Sequence, residues 1–253
     1  MRIVIKIGSN VLTREDGTLD ITQVSSLVDQ VVELRQAGAE VIVVSSGAVA
    51  SGRSELPLDA PLDSVEQRQL FSAVGQVKLI GLYYDLFRER GYRVGQVLTT
   101  KDHFLTPREY DNQRSCMDVM LRNGVIPIVN ENDTVCVTEL MFTDNDELSG
   151  LIARMMNADV LILLTNVAGI YDGPPEAPGS HILRHLHSSD EVSSVVQQTH
   201  SSHGRGGMDS KLHTALQVAA YGIRVCIAAG RQPHILSDLM HHPNRVVYTE
   251  VTP

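Results

Sequence analysis

The stretch VLILLTN, at residues 160–166, is the most apolar strand-like run in the chain. Further runs of this kind are IVIKI (3–7), EVIVVSS (40–46), YRVGQVLTT (92–100), VIPIVNEND (125–133) and RVCIAAG (224–230). The strongest of these runs are continuously apolar rather than alternating, which is typical of strands buried on both faces. They predict a mainly parallel sheet that is covered by helices on both sides.

Amphipathic helical patterns separate these runs. Apolar residues recur at helical spacing in ITQVSSLVDQVVELRQAG (21–38), and further helices are predicted over about 65–90 and from Pro107 to near Gly124. Each of these patterns stops at a glycine, the residue that most often follows the end of a helix. The alternation of strands and helices predicts an α/β protein.

Two segments depart from this alternation. VCVTELMF (135–142) lies so close to its neighbours that it is predicted to form a strand of an antiparallel hairpin. YDGPPEAPGS (171–180) is rich in proline and glycine, which predicts a surface loop or a boundary between two lobes.

The composition is that of an ordinary soluble globular protein. With 253 residues, 43% of them hydrophobic, and a mean hydropathy of −0.03, the chain is long enough for one large α/β domain or two modest ones. A formal net charge of −9 argues against generic binding to nucleic acid or to anionic membranes. No apolar run approaches the roughly 20 residues of a membrane span, and the N-terminal MRIVIKIGSN is predicted to be a strand rather than a signal peptide. A cytoplasmic location is expected.

The cysteines and histidines do not form a recognisable site. Cys116, Cys136 and Cys226 are odd in number and lie in apolar segments, which predicts buried, reduced thiols rather than a disulfide framework or a zinc site. The histidines lie in polar segments without acidic or thiolate company, so no metal site is expected.

Polar motifs follow the predicted strands. In chain order they are KIGSN, SSGA, NEND, TDND, TN and AAGRQ. The carboxyl ends of parallel strands meet at one edge of a sheet, where ligands bind. NEND (130–133) and TDND (143–146) are close in sequence, but such loops are usually only turns, because Asn and Asp side chains bond to nearby backbone. A binding role therefore needs support from the rest of the chain.

VIKIGSN places a lysine inside an apolar strand. Lys6 is costly to bury unless it has an anionic partner, and the turn at Gly8 presents backbone N–H groups that suit a phosphate. The alternative is an edge-strand lysine whose ammonium group reaches water. No GxxxxGK[ST] loop occurs in the chain and no GxGxxG follows the first strand, so a dinucleotide-binding hypothesis lacks its main support.

The glycine-rich segment SHGRGGMDSK is a second candidate for phosphate binding. Gly204, Gly206 and Gly207 permit close approach of the backbone to a ligand, and Asp209 is predicted to cap the helix that follows. Lys211 then lies in the first turn, where a cation opposes the helix dipole, which suggests an anion nearby. The alternative is an ordinary flexible loop with a solvated lysine.

Taken together, these motifs resemble the amino acid kinase superfamily and, within it, the glutamate 5-kinase family. The matching stretches are IKIGSNVL (5–12), SSGAVASG (45–52), SAVGQ (72–76), NQR (112–114), PIVNENDTV (127–135), FTDNDELSG (142–150), LLTNVAGIY (163–171) and GRGGMDSK (204–211). The resemblance implies a three-layer α/β/α sandwich with a mainly parallel central sheet, the amino acid kinase fold. It also implies a single domain, with a glutamate-binding lobe over about 1–158 and an ATP-binding lobe over about 159–253.

The resemblance implies an enzyme that transfers the γ-phosphate of ATP to the side-chain carboxylate of L-glutamate. The product would be L-glutamyl 5-phosphate, in the first step of proline biosynthesis, with Mg²⁺ carried on the nucleotide. The family also implies proline as a feedback inhibitor, a homodimer or homotetramer, and functional coupling to glutamyl-phosphate reductase. The alternatives are a kinase of a related small carboxylic or carbamic acid, and a non-catalytic amino-acid sensor on the same fold.

The site residues implied by the resemblance fall into three groups. Lys6 and Lys211 would stabilise the transferring phosphoryl group, and Asp146 would hold and orient both lysines. Ser46, Asp133 and Asn145 would bind L-glutamate. The residues expected along ATP are Lys6, Gly8, Thr165, Asn166, Arg205, Gly206, Gly207, Met208, Asp209, Ser210 and Lys211.

The chain departs from the family pattern in three places. Asn166 stands where the family usually has Asp, which removes a charged contact to the nucleotide. Arg205 stands where Thr is common in the glycine-rich loop. The chain stops at Pro253, so it is expected to be a short form without the C-terminal PUA domain, and no RNA-binding role is inferred.

Overall fold

The structure is a computed structural model that describes residues 1–56, 62–136, 144–173, 175–189 and 208–253. Most of the predicted hairpin strand at 135–142 lies outside these residues. So do six residues of the predicted glycine-rich segment, 202–207, which include Gly204, Arg205, Gly206 and Gly207. Strands and helices are numbered in chain order.

Within the described ranges, eight strands form one central sheet. They are β1 (Arg2–Ile7), β2 (Glu40–Ser45), β3 (Arg93–Thr99), β4 (Val125–Glu131), β5 (Val160–Thr165), β6 (His185–His187), β7 (Arg224–Ala229) and β8 (Tyr248–Thr252). Their order across the sheet is β3-β4-β2-β1-β5-β7-β8-β6. The strand β1 therefore lies inside the sheet, with β2 on one side and β5 on the other.

The six strands from β3 to β7 in this order run parallel, which confirms the predicted mainly parallel sheet. The strand β8 is antiparallel to β7, and β6 pairs in parallel with β8, so these two strands run against the rest. Neither was predicted from the sequence. The strand β6 has three residues, which is too short to show a periodic pattern.

The helices in the described part of the chain lie on the two faces of this sheet. They are α1 (Ser9–Leu12), α2 (Ile21–Gln36), α3 (Ala48–Glu55), α4 (Ser64–Glu89), α5 (Asp102–Leu105), α6 (Pro107–Arg122), α7 (Asn145–Met155), α8 (Met208–Ala219) and α9 (Ile235–His241), with a 3₁₀ turn at Pro243–Arg245. The three helices predicted over 21–38, 65–90 and 107–124 are confirmed as α2, α4 and α6. Gly38, Gly91 and Gly124 follow their ends with positive φ, the conformation that glycine adopts most readily.

Two apolar clusters cover the two faces of the sheet. In β1, Ile3, Ile5 and Ile7 belong to the cluster that contains apolar residues of α2, α4 and α9. Val4 belongs to the opposite cluster, with residues of α6, α7 and α8. Both faces of β1 are therefore buried, which is why its sequence does not alternate between apolar and polar residues. This arrangement is the expected three-layer α/β/α sandwich.

Two glycines allow α3 and α4 to cross at very close range. A Cβ atom added at Gly75 would lie 1.8 Å from the carbonyl oxygen of Ala48, and one added at Gly52 would lie 1.9 Å from the carbonyl oxygen of Phe71. Both contacts are to backbone, which cannot move aside as a flexible side chain can. The crossing matters for function because α3 follows the SSGA motif and α4 carries side chains that reach the site described below.

The crossing of α3 and α4 leads to a prediction about stability. Gly75→Ala should lower the free energy of unfolding by about 3 kcal/mol, at the upper end of the usual cost of overpacking, because the backbones have to separate. Gly81→Ala is the matched control on the same helix, since an added Cβ meets nothing within 4 Å, and it should stabilise the helix by about 0.5–1 kcal/mol. Chemical denaturation of both variants measures the difference. Equal stabilities would contradict the close packing.

The exposure of the three cysteines agrees with the prediction at two positions and differs from it at the third. Cys136 and Cys226 are buried as predicted, but Cys116 is exposed, because its position on α6 faces away from the sheet. The expectation for Cys116 was therefore wrong. Among the described residues, no helix has the length and apolar character needed to cross a membrane.

Candidate active site

Two lysines and one aspartate form a buried cluster at the carboxyl end of β1. The ammonium nitrogen of Lys6 lies 2.6 Å from Oδ1 of Asp146. Lys211 donates a hydrogen bond of 2.8 Å to Oδ2 of the same carboxylate. Lys6 is 5% exposed, Lys211 is 9% exposed and Asp146 is fully buried. Lys6 is therefore not an edge-strand lysine that reaches water; it has the anionic partner that its burial requires.

Three elements bring these side chains together. Lys6 is the penultimate residue of β1 and follows Val4 on the face covered by α7 and α8. Asp146 lies in the first turn of α7, and Lys211 lies in the first turn of α8, as predicted. The helix α8 begins at Met208, so Asp209 lies within the first turn instead of capping the helix, which corrects that prediction.

A second contact ties the starts of α7 and α8 together. Asp144 caps α7, where its Oδ1 accepts hydrogen bonds from the backbone N–H groups of Asp146 and Glu147. Its other oxygen, Oδ2, accepts a 2.8 Å hydrogen bond from the hydroxyl of Ser210 on α8. This cap orients Asp146 toward the lysines. Asp144 was not singled out from the sequence, and the helix α7 that it caps was not predicted either, although aspartate is a common residue at this capping position.

The cluster carries one net positive charge, since two ammonium groups surround one carboxylate. Burial by itself raises the pKa of Asp146, but Lys6 and Lys211 outweigh it and hold that pKa below its ordinary value. Asp146 is therefore ionised at neutral pH. A positive cluster inside a chain with a formal charge of −9 favours the binding of an anion.

Gly8 keeps the space in front of Lys6 open. A Cβ atom added there would lie 3.3 Å from the carbonyl oxygen of Leu164 and 3.6 Å from the ammonium nitrogen of Lys6. The φ angle of Gly8 is −70°, which any residue adopts. Glycine is thus needed at this position for room and not for an unusual backbone conformation. The room beside the ammonium group suits close approach of a phosphate.

A polar network lies next to the lysine cluster. The side-chain amide of Asn145 donates hydrogen bonds to the hydroxyl of Ser46, at 2.9 Å, and to Oδ1 of Asn130, at 3.0 Å. The amide of Asn130 in turn donates a 3.0 Å hydrogen bond to Oε1 of Gln76 on α4. The NEND and TDND motifs therefore meet through Asn130 and Asn145. Asn130 and Gln76 were not assigned from the sequence, although both lie in the stretches that carry the family resemblance.

Asp133 lies beside an arginine that was not predicted. Arg68 on α4 contacts Oδ1 of Asp133 through Nε, at 2.7 Å, and through Nη2, at 2.6 Å. The same Nη2 lies 2.9 Å from the carboxylate of Glu131. Burial raises the pKa of Asp133, while Arg68 acts in the opposite direction. The signal in the sequence was weak, because one arginine on a polar helix face is usually solvated.

The residues expected along ATP lie at the ends of β5 and α8. Thr165 ends β5 and is buried, and its hydroxyl donates a 3.1 Å hydrogen bond to Oδ1 of Asn166. Gly8 lies beside this strand end, where its N–H donates a 3.2 Å hydrogen bond to Leu164. Met208, Asp209 and Ser210 form the first turn of α8 with Lys211. Arg205, Gly206 and Gly207 are outside the described residues.

The described residues do not include a group of three or more His, Cys, Asp or Glu side chains that would hold a metal ion. At the lysine cluster, both oxygens of Asp146 already contact ammonium groups. The arrangement at the lysine cluster therefore favours an anion.

Sequence comparison assigns the class of protein. Residues 1–229 match the Amino acid kinase family, and the chain belongs to that family. It is 60% identical over 252 residues to the glutamate 5-kinase of Bacteroides thetaiotaomicron, which covers 100% of this chain and 70% of that protein. It is also 44% identical over 241 residues to the glutamate 5-kinase of Chlorobaculum tepidum, which covers 95% of this chain and 66% of that protein.

The relatives place the chain with the glutamate 5-kinases within the family, and it spans about two thirds of their length. A solved structure agrees on the fold. The carbamate kinase from Giardia lamblia bound to AMP-PNP superimposes with a TM-score of 0.70, covering 99% of this chain and 98% of that chain. Its sequence identity is 18%, so this likeness is one of fold alone. The resemblance inferred from the motifs and the expected fold are confirmed.

Proposed function

We propose that this chain is a kinase that transfers the γ-phosphate of ATP to the side-chain carboxylate of L-glutamate. The observation that carries the proposal is the pair of buried lysines, Lys6 and Lys211, held on one carboxylate at the end of β1. A pure binding site for an amino acid has no need of two buried cations at this place. The names of the relatives support L-glutamate as the acceptor.

The proposed reaction needs charge neutralisation rather than a protein nucleophile. An oxygen of the substrate's side-chain carboxylate attacks the γ-phosphorus, a new O–P bond forms, and the bond from that phosphorus to the β,γ-bridging oxygen breaks. The products are L-glutamyl 5-phosphate and ADP. A carboxylate is already ionised at neutral pH, so no general base is required. Lys6 and Lys211 would offset the charge on the transferring group, which is the dominant need in phosphoryl transfer.

Ser46, Asn145 and Asp133 are proposed to bind L-glutamate. Asn145 and Ser46 lie together next to the lysine cluster and offer a hydroxyl and an amide to the polar groups of the substrate. Asp133 is the proposed partner of the α-ammonium group. This division agrees with the charges, because the anionic end of the substrate would face the lysines and its cationic end would face a carboxylate.

The nucleotide is proposed to bind over the second half of the chain. Thr165, Asn166 and the first turn of α8 would line ATP, together with Gly8 and the loop that contains Arg205, Gly206 and Gly207. Mg²⁺ would enter with ATP as part of that substrate. The lobe over about 1–158 would then bind L-glutamate and the lobe over about 159–253 would bind ATP.

The family resemblance extends the proposal to regulation, assembly and location. Proline is proposed as a feedback inhibitor, and the chain is proposed to act as a homodimer or homotetramer in the cytoplasm. Its product, an acyl phosphate, is reactive toward water, so functional coupling to glutamyl-phosphate reductase is also proposed.

A panel of acids tests the function directly. ADP release with Mg·ATP is measured for L-glutamate, N-acetyl-L-glutamate, L-aspartate, carbamate and UMP, with hydroxylamine present to trap an acyl phosphate. Turnover that depends on L-glutamate and forms the γ-glutamyl hydroxamate supports the proposal. Turnover with a different acid would support a kinase activity but show that L-glutamate is not its acceptor. If a folded protein that binds L-glutamate released no ADP with any of these acids, the result would support a non-catalytic amino-acid sensor instead.

The role of Asp133 gives a separate prediction. Asp133→Asn should raise the KM for L-glutamate about 10- to 100-fold, because the variant loses a charge-assisted contact to the α-ammonium group worth about 1.5–3 kcal/mol. The KM for ATP should stay within about twofold of the wild type. Steady-state kinetics with each substrate varied in turn measures both values. An effect confined to the KM for ATP would show that Asp133 does not bind the amino acid.

A further inference from the structure

The long helix α4 reaches the proposed substrate pocket at several places. Arg68 contacts Asp133, Gln76 accepts a hydrogen bond from Asn130, and the hydroxyl of Tyr83 lies 2.9 Å from the hydroxyl of Ser45, next to Ser46. The three residues of α4 lie on the side of the helix that faces the carboxyl ends of β2 and β4. One helix thus contacts Asp133, Asn130 and the strand residue that precedes Ser46.

The contact of Arg68 is the one that involves charge. Two of its nitrogens, Nε and Nη2, contact the same oxygen of Asp133, Oδ1. The other carboxylate oxygen, Oδ2, receives none of these contacts. Nη2 also contacts Glu131, whose side chain is 4% exposed. Arg68 therefore bridges two carboxylates that are both largely buried.

The two carboxylates are close enough to repel each other. In the described part of the chain, Arg68 contacts both carboxylates. The α-ammonium of an amino acid bound through Oδ2 of Asp133 would bring a second positive charge to these carboxylates, in a desolvated setting in which charge balance counts strongly.

We propose that Arg68 is a positioning residue for recognition of the substrate's α-ammonium group: it fixes Asp133 through Oδ1, supplies the positive charge that lets Asp133 and Glu131 lie side by side as carboxylates, and leaves Oδ2 for the ligand. This inference rests on the proposed function, because it assigns the amino group of L-glutamate to Asp133. It adds that a residue of α4 controls the affinity for the α-ammonium group, although α4 contributes no residue to the cluster of Lys6, Lys211 and Asp146.

The neighbours of Asp133 define what should happen when Arg68 is removed. Arg68 from α4 contacts Asp133 and Glu131, the last residue of β4. Cys136 lies after the turn, and its thiol is affected by Glu131, Asp133, Arg68 and Asp102 from α5. Burial raises the pKa of Cys136, and Glu131, Asp102 and Asp133 raise it further, so the thiol stays neutral at the pH of an assay. Without Arg68, burial and Glu131 both favour protonation of Asp133. A protonated Asp133 cannot pair with an ammonium group.

The first experiment measures affinity as a function of pH. Calorimetric titration with L-glutamate and steady-state kinetics are carried out between about pH 6 and pH 8 for the wild type and Arg68→Gln. The variant should have a Kd and a KM for L-glutamate raised about tenfold or more, with kcat within about threefold. Its Kd should fall as the pH rises, because Asp133 ionises, whereas the Kd of the wild type should be nearly constant.

Two further variants separate charge from structure. In Arg68→Gln/Glu131→Gln the second carboxylate is gone, so Asp133 regains its charge and the Kd should return part of the way toward the wild type. Gln69→Ala is the matched control: Gln69 is the next residue of α4 and donates a 2.9 Å hydrogen bond to the backbone of Thr134, in the same turn as Asp133. This variant loses a contact to the turn but changes no charge, and its Kd should not depend on pH.

The outcomes distinguish this inference from the proposed function. An unchanged Kd in Arg68→Gln overturns the inference, as does a Kd raised equally at every pH without recovery in the double variant, because either result denies a role for charge. A wild type that binds L-glutamate without turnover contradicts the proposed reaction while the Kd series still tests Arg68. A wild type that binds no α-amino acid overturns both.

Discussion

Replacing Lys211 with methionine should lower kcat about 100- to 1,000-fold, the usual cost of removing one charge-stabilising group from an active site. Lys211 is 9% exposed and shares the carboxylate of Asp146 with Lys6. Its loss leaves Lys6 and Asp146 as a neutral pair, so the positive charge of the cluster disappears while the buried carboxylate keeps a partner. The effect should therefore fall on catalysis and leave the free energy of unfolding close to that of the wild type.

A lysine just before α5 that pairs with a glutamate of α7 provides the control. Lys101 forms an ion pair of 2.6 Å with Glu147, the residue next to Asp146, but its side chain is 34% exposed. Lys101→Met removes the same type of group from a partly exposed ion pair outside the cluster and should change kcat by less than about twofold, because such pairs contribute little. Rapid-quench or steady-state assays of ADP release measure both variants. If Lys211→Met turned over at the wild-type rate, this lysine would have no part in the reaction.

Replacing Asp146 with asparagine should lower the free energy of unfolding by about 3–5 kcal/mol, the cost of breaking a buried ion pair by removing one partner. The asparagine leaves two ammonium groups buried beside a neutral amide. The side chain of asparagine has almost the same shape as that of aspartate, so the substitution creates no cavity that would contribute to the loss of stability. Turnover should fall as well, since the lysines lose the group that orients them.

The control for Asp146 is a carboxylate that also contacts two cations but is partly exposed to solvent. Asp118 also lies between two cations, Arg2 at 3.1 Å and Arg114 at 4.0 Å, and its side chain is 31% exposed. Asp118→Asn should cost no more than about 1 kcal/mol, because exposed ion pairs contribute little. Denaturant titrations compare the two variants. Equal losses would mean that burial does not govern the strength of the Asp146 cluster.

The pH dependence of stability gives Asp146 a second signature. Its pKa is held below the ordinary value of 3.8 in the folded state, so it stabilises the protein above that pH. The contribution is lost as the pH falls through the lowered pKa. The difference in stability between the wild type and Asp146→Asn should therefore shrink below about pH 3.8. If the difference in stability did not change with pH, the charge of Asp146 would not be the source of that difference.

Much of the fold can be predicted from the sequence because buried positions are occupied by apolar residues. The strands β1, β2 and β5 are buried on both faces, so their residues are continuously apolar, and α2, α4 and α6 end at glycines with positive φ. The reverse strands β6 and β8 were missed, since their pairing depends on contacts far along the chain. Cys116 was misjudged because apolar neighbours in sequence do not ensure burial.

The same division holds for the candidate site. The parallel sheet covered on both faces, the lysine at the end of β1 and the polar loops at the carboxyl ends of the strands could be predicted from residue type and spacing. The family resemblance also implied that Asp146 holds Lys6 and Lys211, and the structure has both contacts. The meeting of Asn130 with Asn145, and of Arg68 with Glu131 and Asp133, is visible in the folded structure alone. These pairs are far apart in the chain or on different elements, and the charge balance that links them depends on distance and burial.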